Sequence, residues 1–571
     1  MKHLKKNNFF IYLALILGLT VLLRFPFLEL FPPSMLQDEV GIGYSAISIA
    51  ETGKDEWGES FPLFFKSFGD YKSPAFIYVT ALLYKVIGWH EILPRITSAI
   101  AGFFIVLFGA LWIKRLFKSK ELGLIAGLLL ATSPWTIHMS RMALESNLGL
   151  AFFMAGLFFM SYEDKSKGFS LKKIILSSIF FSLSSYSFHS YRYTVILFLV
   201  SIIVATILLF YKQLKQKKIF LKNTCLILLL SSLLSLPGFF AKGSSGRLNQ
   251  TLILNSTEYK YLYKHYENNC HNTFIEINPP LTFICRLKYN KYSTPVLISV
   301  DSLIKHLSPD FLFFSGDEGA FRNPTQSGHF YVFLFPFWMV GSLILFKNFK
   351  KYYIPILGYI LALLPSTVSG EPHATRLSIL IPFALVTLIL GYQTLRVYFK
   401  KFKYFPQIFT LVTGICLASF VLNYSVDTFA EQADTASFLS YAKKVALLEG
   451  EYIKNGYVVY ADQNLYPEPH IYYVYFNRID PQLTQASFAQ VYQESTGFSR
   501  PQQFGDNLFF YSADSKTFFD CQSDEDMQRV HITKNPIDGL TPATVVKDNT
   551  QLYGYAYVYE GSEICAKNKN Q

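Results

Sequence analysis

Residues 74–88 read Pro-Ala-Phe-Ile-Tyr-Val-Thr-Ala-Leu-Leu-Tyr-Lys-Val-Ile-Gly. The run is apolar but short, and its placement decides the topology of the whole chain. If it crossed a bilayer, the next apolar run, at about 95–115, would deliver Lys114, Arg115, Lys118 and Lys120 to the outside. If it lies along the membrane surface, that cluster falls inside, where Lys and Arg accumulate at the ends of spans. Residues 74–88 are therefore read as a surface helix that does not cross.

Working outward, the same choice orders the rest. Upstream, Met1–Lys6 is basic and precedes an apolar run at about 9–29, broken at Arg24-Phe25-Pro26 without a small-residue cleavage site. This predicts an uncleaved first span with its N-terminus in the cytoplasm and an external loop over 30–94. Downstream, spans are expected near 95–115, 121–137, 144–162, 172–188, 192–211, 219–240, 330–346, 353–368, 375–395 and 405–424. The Lys-rich turns at 163–173, 212–218, 347–351 and 396–403 then all face the cytoplasm. The expected fold is a mostly α polytopic membrane protein of about eleven transmembrane helices, spanning residues 1–424, with external loops at 30–94 and 242–328. Residues 425–571 are more polar and carry short β-rich runs such as Tyr457-Val-Val-Tyr460. They are read as a small external α/β domain.

Composition agrees with this class. Of 571 residues, 51% are hydrophobic and only 16% charged, against about 25% in soluble proteins. The formal charge of +12 sits largely in the cytoplasmic turns, so it calls for no nucleic acid. No G-x-x-x-x-G-K-[ST] loop is present to bind ATP. Of six cysteines, Cys225 and Cys416 lie within spans. The others fall in external segments, two in each, predicting Cys270–Cys285 and Cys521–Cys565 disulfides in an oxidising compartment.

With this topology the ionisable residues at span ends gather on the external side, where such groups are expensive and usually functional. Asp38 and Glu39 open a helical run in the first loop. Each is either a helix-start acid or a carboxylate that accepts a proton from an acceptor group. Lys72, just before Pro74, is either an interfacial lysine or a cation facing a phosphate. Arg141 and Glu145 are four residues apart and either pair on one helix face or belong to the site. His189/Arg192 and His373/Arg376 repeat a His-x-x-Arg spacing in two external turns, which suits an anion. Lys72, Arg192 and Arg376 are expected to converge on one external cavity that exposes Asp38. Asp524-Glu525-Asp526 is read as a solvated turn, and the sequons at Asn249, Asn255 and Asn423 as patterns only.

On these residues the chain resembles the GT-C membrane glycosyltransferases, most of all the branch of protein O-mannosyltransferases and the lipid A aminoarabinose transferase. The shared pattern is Asp38-Glu39 after the first span, Lys72-Ser-Pro74 before the surface helix, and Arg95 following it. Ser133-Pro-Trp135 through Arg141, His189/Arg192, Leu307 through Asp317, and Pro372-His373-x-x-Arg376 complete it over about residues 1–400. Tyr71 and Ser73 flank the lysine where relatives carry Glu or Pro. No Trp-Trp-Asp motif occurs, unlike the oligosaccharyltransferase branch.

The resemblance implies a multi-pass cell-membrane enzyme of the envelope, mannosyltransferase-like. It would move a sugar from a polyprenyl-phosphate donor to a lipid, glycan or protein acceptor outside. Asp38 or Glu39 would be catalytic, and Lys72, Arg192, Arg376 and His373 would bind the donor phosphate. Arg141, Glu145 and His189 are further candidates. A divalent metal ion is the only cofactor it suggests. The rival class is a transporter or flippase of lipid-linked sugars, which would more often place charges on broken helices near mid-membrane.

Overall fold

Helices fill every apolar run read above. The computed structural model describes residues 6–67, 70–161, 170–241, 279–288, 292–319, 321–369, 372–426, 439–488, 492–493, 499–501, 503–511, 521, 526–547 and 554–569, with single residues between 260 and 290. By length and composition, five helices can cross a membrane: Leu93–Phe117, His189–Leu209, Tyr211–Phe240, Ser378–Tyr398 and Phe405–Val426. Lys120–Thr132 and Pro134–Arg141, bent by 55°, make a sixth if they form one span. Shorter apolar helices stand at Asn8–Arg24, Pro74–Ile87, Glu145–Met160 and Val332–Lys347. The described residues are mostly helical, with a small β-sheet region.

Packing groups the chain into two compact units, and the grouping differs from the boundary drawn at 424/425 on composition. One unit is Met1–Arg24, Ser98–Ser140 and Leu144–Leu422. The other is Phe25–Thr97, Arg141–Ala143 and Asn423–Gln571, so the first loop shares a unit with the C-terminal region.

The first unit is an apolar helix bundle that keeps large side chains such as Leu208, Leu343 and Leu411 exposed. Its close contacts use small residues, as membrane helices do in the absence of a hydrophobic drive between them. A Cβ on Gly341 would lie 1.9 Å from the Thr387 carbonyl oxygen, and one on Gly391 would lie 1.8 Å from that of Phe337. Both positions therefore exclude any side chain. The break at Ser133-Pro134 frees carbonyls inside apolar surroundings, because proline has no N–H to donate. Arg24, fully buried, answers it: its guanidinium donates to the Leu130 and Ala131 carbonyls at 3.0 Å each. The arginine that breaks the first apolar run thus completes the bend in another helix.

The second unit is built around helix α2, Gln37–Thr52, which buries every residue from Glu39 to Ile49. A C-terminal six-stranded mixed sheet runs in the order Gln503–Phe504, Leu508–Tyr511, Val458–Asp462, Arg529–Thr533, Gly554–Glu560, Thr544–Lys547, with Val458–Asp462 parallel to both its neighbours and the other adjacent pairs antiparallel. Val40, Tyr44 and Ile47 of α2 join Val445, Val459, Tyr472, Val530 and Val558 in one core. The Tyr44 hydroxyl bonds both Thr484 and the Ile479 carbonyl. A Cβ on Gly43 would meet the Tyr475 ring at 2.6 Å. The run read as a surface helix forms Pro74–Ile87, buries Pro74 to Ile77, Thr80 and Ala81, and exposes Leu82, Val86 and Ile87. At fourteen residues it is about 21 Å long, short of a hydrocarbon core of about 30 Å.

Cys521 and Cys565 are joined by a disulfide, their Cα atoms 5.3 Å apart, and Cys225 and Cys416 are free thiols. Cys285 is disulfide-bonded, while Cys270 lies outside the described residues, as do Asp524, Glu525 and Glu371.

Glu449, on the helix Ser440–Lys454, is fully buried, and among the described residues neither carboxylate oxygen has a hydrogen-bond partner. Burial pushes its carboxyl up to about 8. The unfolded chain ionises this group near its ordinary value of 4.5, so the folded state loses relative stability as pH rises from about 4.5 to 8 and is unpenalised below that window. At pH 7 the loss is on the order of 3 kcal/mol. Glu449→Gln should therefore raise the melting temperature at pH 8 and change it little at pH 4.5. Equal shifts at both pH values would refute the assignment.

Candidate active site at the first loop

The two acids that open α2 have opposite environments. Asp38 keeps 60% of its side chain exposed, and its Oδ1 lies 2.6 Å from Lys72 Nζ. Lys72 ends the hairpin of β1 (Phe65–Ser67) and β2 (Asp70–Lys72), and its side chain is only 7% exposed. A buried ammonium thus holds an accessible carboxylate from below. The Lys72 Nζ also lies 3.5 Å from the Asp38 carbonyl oxygen.

Glu39 is the reverse: 1% exposed and bound bidentately by Arg95, Nε to Oε1 at 3.0 Å and Nη2 to Oε2 at 2.9 Å. Its oxygens also accept the Ala143 N–H at 2.7 Å and the Leu36 N–H at 2.9 Å. The Leu36 bond satisfies a backbone N–H left free at the start of α2. Arg95, fully buried at the start of α4 (Leu93–Phe117), spends its remaining donors on the carbonyls of Leu28, Pro32 and Ser34. Glu39, a catalytic candidate alongside Asp38 on sequence, is the anion of a buried knot, because helix rotation of about 100° per residue turns it away from Asp38 into the core.

Arg141 is likewise committed to backbone: it donates to the Phe31, Pro26 and Phe27 carbonyls at 2.9 Å each. The long-range carbonyls it binds have no sequence signature. Two groups near Asp38 went unread in the sequence. Tyr472 is fully buried and donates to the Met35 carbonyl; burial, with the Glu39 and Asp38 charges, keeps its hydroxyl protonated. Glu56 is 4% exposed, accepts a bond from Ser45 Oγ at 2.7 Å, and is pushed up to about 8 by burial and by Asp55, against the opposing pull of Lys72.

The remaining candidates lie in the other unit. His189 and Arg192 sit three apart in the first turn of His189–Leu209, with Arg192 buried and His189 half-buried. Glu145 opens Glu145–Met160, half-buried. His373 and Arg376 share the turn before Ser378–Leu380, both half-buried; His373 Nδ1 bonds Thr375 Oγ1 at 2.8 Å and Arg376 donates to Ser369 Oγ at 2.6 Å. Among the described residues, no three His, Cys, Asp or Glu side chains gather where they could hold a metal ion.

No protein-family model matches the sequence, and no curated protein matches it. Solved structures do. ArnT from Cupriavidus metallidurans bound to undecaprenyl phosphate aligns over 97% of this chain and 97% of its own, at 12% identity and a TM-score of 0.51. The Archaeoglobus fulgidus oligosaccharyltransferase tethered to an acceptor peptide containing the NVT sequon aligns over 83% of this chain and 63% of its own, at 13% identity and a TM-score of 0.50. This chain therefore spans less than two thirds of the archaeal enzyme's length. At such identities the likeness concerns the fold alone.

Proposed function

We propose that the chain is an inverting glycosyltransferase that takes a sugar from a polyprenyl-phosphate donor on the external face of the cell membrane. The acceptor is a lipid, glycan or protein. The observation that carries this reading is the pair at α2: Asp38 is accessible and held by a buried lysine, while its neighbour Glu39 is locked into structure. In the reaction, the acceptor oxygen bonds to the anomeric carbon as the bond to the phosphate oxygen breaks. The acceptor proton passes to Asp38, and the departing electron pair goes to the lipid phosphate. Lys72 orients the base. Donor-phosphate binding by Lys72, Arg192, His373 and Arg376 is part of the proposal, as are the eleven spans, the interfacial placement of Pro74–Ile87 and the external C-terminal region. The undecaprenyl phosphate in the ArnT structure supports the donor class. Residues suited to a metal are not gathered among those described, so no step is assigned to one.

The test is transfer in vitro. Purified protein, supplied with radiolabelled polyprenyl-phosphate sugars and membrane extract as acceptor, should yield a labelled product of higher mass. Mass spectrometry of surface glycans with and without the protein should show the same addition. Movement of the donor across vesicles with no product would instead support a flippase.

A further inference from the structure

The segment after Leu307 contains a carboxylate whose four acceptor positions are all filled. Asp317 has no exposed side-chain surface. Arg322 binds it bidentately, Nε to Oδ2 and Nη2 to Oδ1, at 2.7 Å each. Oδ1 also accepts the Gly319 N–H at 2.8 Å, and Oδ2 accepts the Ala374 N–H at 2.7 Å. Burial would raise this carboxyl, but Arg322 and the two N–H groups outweigh it and hold the group below its usual range. A carboxylate so occupied has no lone pair left for a proton or a metal. Its one long-range bond goes to the turn that carries His373 and Arg376.

The same peptide is gripped from the other side. Trp135 Nε1 donates to the Ala374 carbonyl at 3.2 Å. The Trp135 ring stacks on His329, centroids 4.6 Å apart, and Ser133 Oγ donates to the His329 carbonyl at 3.0 Å. His138 Nε2 donates to the Phe321 carbonyl at 2.8 Å. Asp317 is thereby fastened to the Pro372–Arg376 turn, and Phe321 and His329 to the Ser133–Ser140 segment.

We infer that Asp317 is a positioning residue: with Trp135 it clamps both backbone groups of Ala374, fixing the turn from which His373 and Arg376 engage an anionic ligand. The inference rests on the reading above that this turn holds the donor phosphate. Sequence motif alone could not assign it, since Asp317 and Ala374 are 57 residues apart.

The experiment uses the full chain in detergent and two readouts: amide hydrogen exchange at residues 372–377, and binding of a fluorescent polyprenyl monophosphate. Asp317→Asn should speed exchange at Ala374 and weaken binding about tenfold, the effect of losing one charge-assisted bond. Trp135→Phe keeps the ring but removes the donor, and should do the same more mildly, which covers the case in which Asp317→Asn fails to fold. Arg376→Ala should weaken binding too, and adding Asp317→Asn to it should weaken binding no further. Unchanged exchange at Ala374 in the Asp317 and Trp135 variants overturns the inference while leaving the donor reading intact. Full additivity with Arg376→Ala also overturns it. Normal binding by Arg376→Ala overturns the donor reading of the turn itself.

Discussion

Asp38→Asn should lower sugar transfer about 10²–10⁴-fold, the range for loss of a general base. Asn has the shape of Asp and can still accept a hydrogen bond from Lys72 Nζ, which now lies 2.6 Å from Asp38 Oδ1. What it cannot do is take the acceptor's proton. Folding should lose some stability but remain intact. Asp38 is 60% exposed, so its own charge is well solvated, whereas Lys72, 7% exposed, keeps a hydrogen-bond acceptor and loses its counter-charge. As a helix-start residue Asn is nearly as good as Asp. The two roles therefore separate by orders of magnitude in rate and hardly at all in stability. The measurement is initial transfer rate at saturating donor, beside the melting temperature of the same preparation. Transfer within a few-fold of wild type would return Asp38 to the role of a helix-start acid. Lys72→Met should behave differently. It removes the cation that orients Asp38, so it should slow transfer and also disturb the β1–β2 hairpin that ends there.

How far this site was legible in the sequence depends on the distance between partners. The helices Gln37–Thr52 and Pro74–Ile87 were legible because local rules mark them: an acid pair at a helix start, and a proline opening an apolar run. The helix positions were legible because apolar runs of membrane length announce themselves. Arg24 was read only as a break in a run; that it caps the bend at Pro134 depends on carbonyls more than a hundred residues away. The i,i+4 spacing of Arg141 and Glu145 is visible in the sequence, whereas the Pro26, Phe27 and Phe31 carbonyls that Arg141 also binds are not. The shared core of α2 and the C-terminal sheet was hidden for the same reason. Tyr44 and Val459 are each ordinary apolar positions until the fold brings them together. Asp38 and Glu39 were left as equals because adjacency in sequence does not say which of two helix positions faces the interior.

Glu39→Gln or Arg95→Met should destabilise the chain by about 3–5 kcal/mol, the effect of breaking a buried ion pair and stranding its partner. The reason is the completeness of the knot. Glu39 Oε1 and Oε2 serve Arg95, Ala143 and Leu36, and Arg95 serves Glu39, Leu28, Pro32 and Ser34. These ties fix the chain between the end of the first apolar helix and the start of α2, so their loss should loosen the segment that presents Asp38. Removing only the arginine leaves a carboxylate that is 1% exposed without its counter-charge. Removing both, as Glu39→Met with Arg95→Met, should be less harmful than either single change, because no uncompensated charge stays buried. The check is thermal unfolding of the four proteins in one detergent, with transfer measured at a temperature where each remains folded. Under the structural assignment, activity should follow the folded fraction, and the double variant should recover part of both. A Glu39→Gln protein as stable as wild type yet unable to transfer sugar would overturn that assignment and put Glu39, not Asp38, at the chemistry.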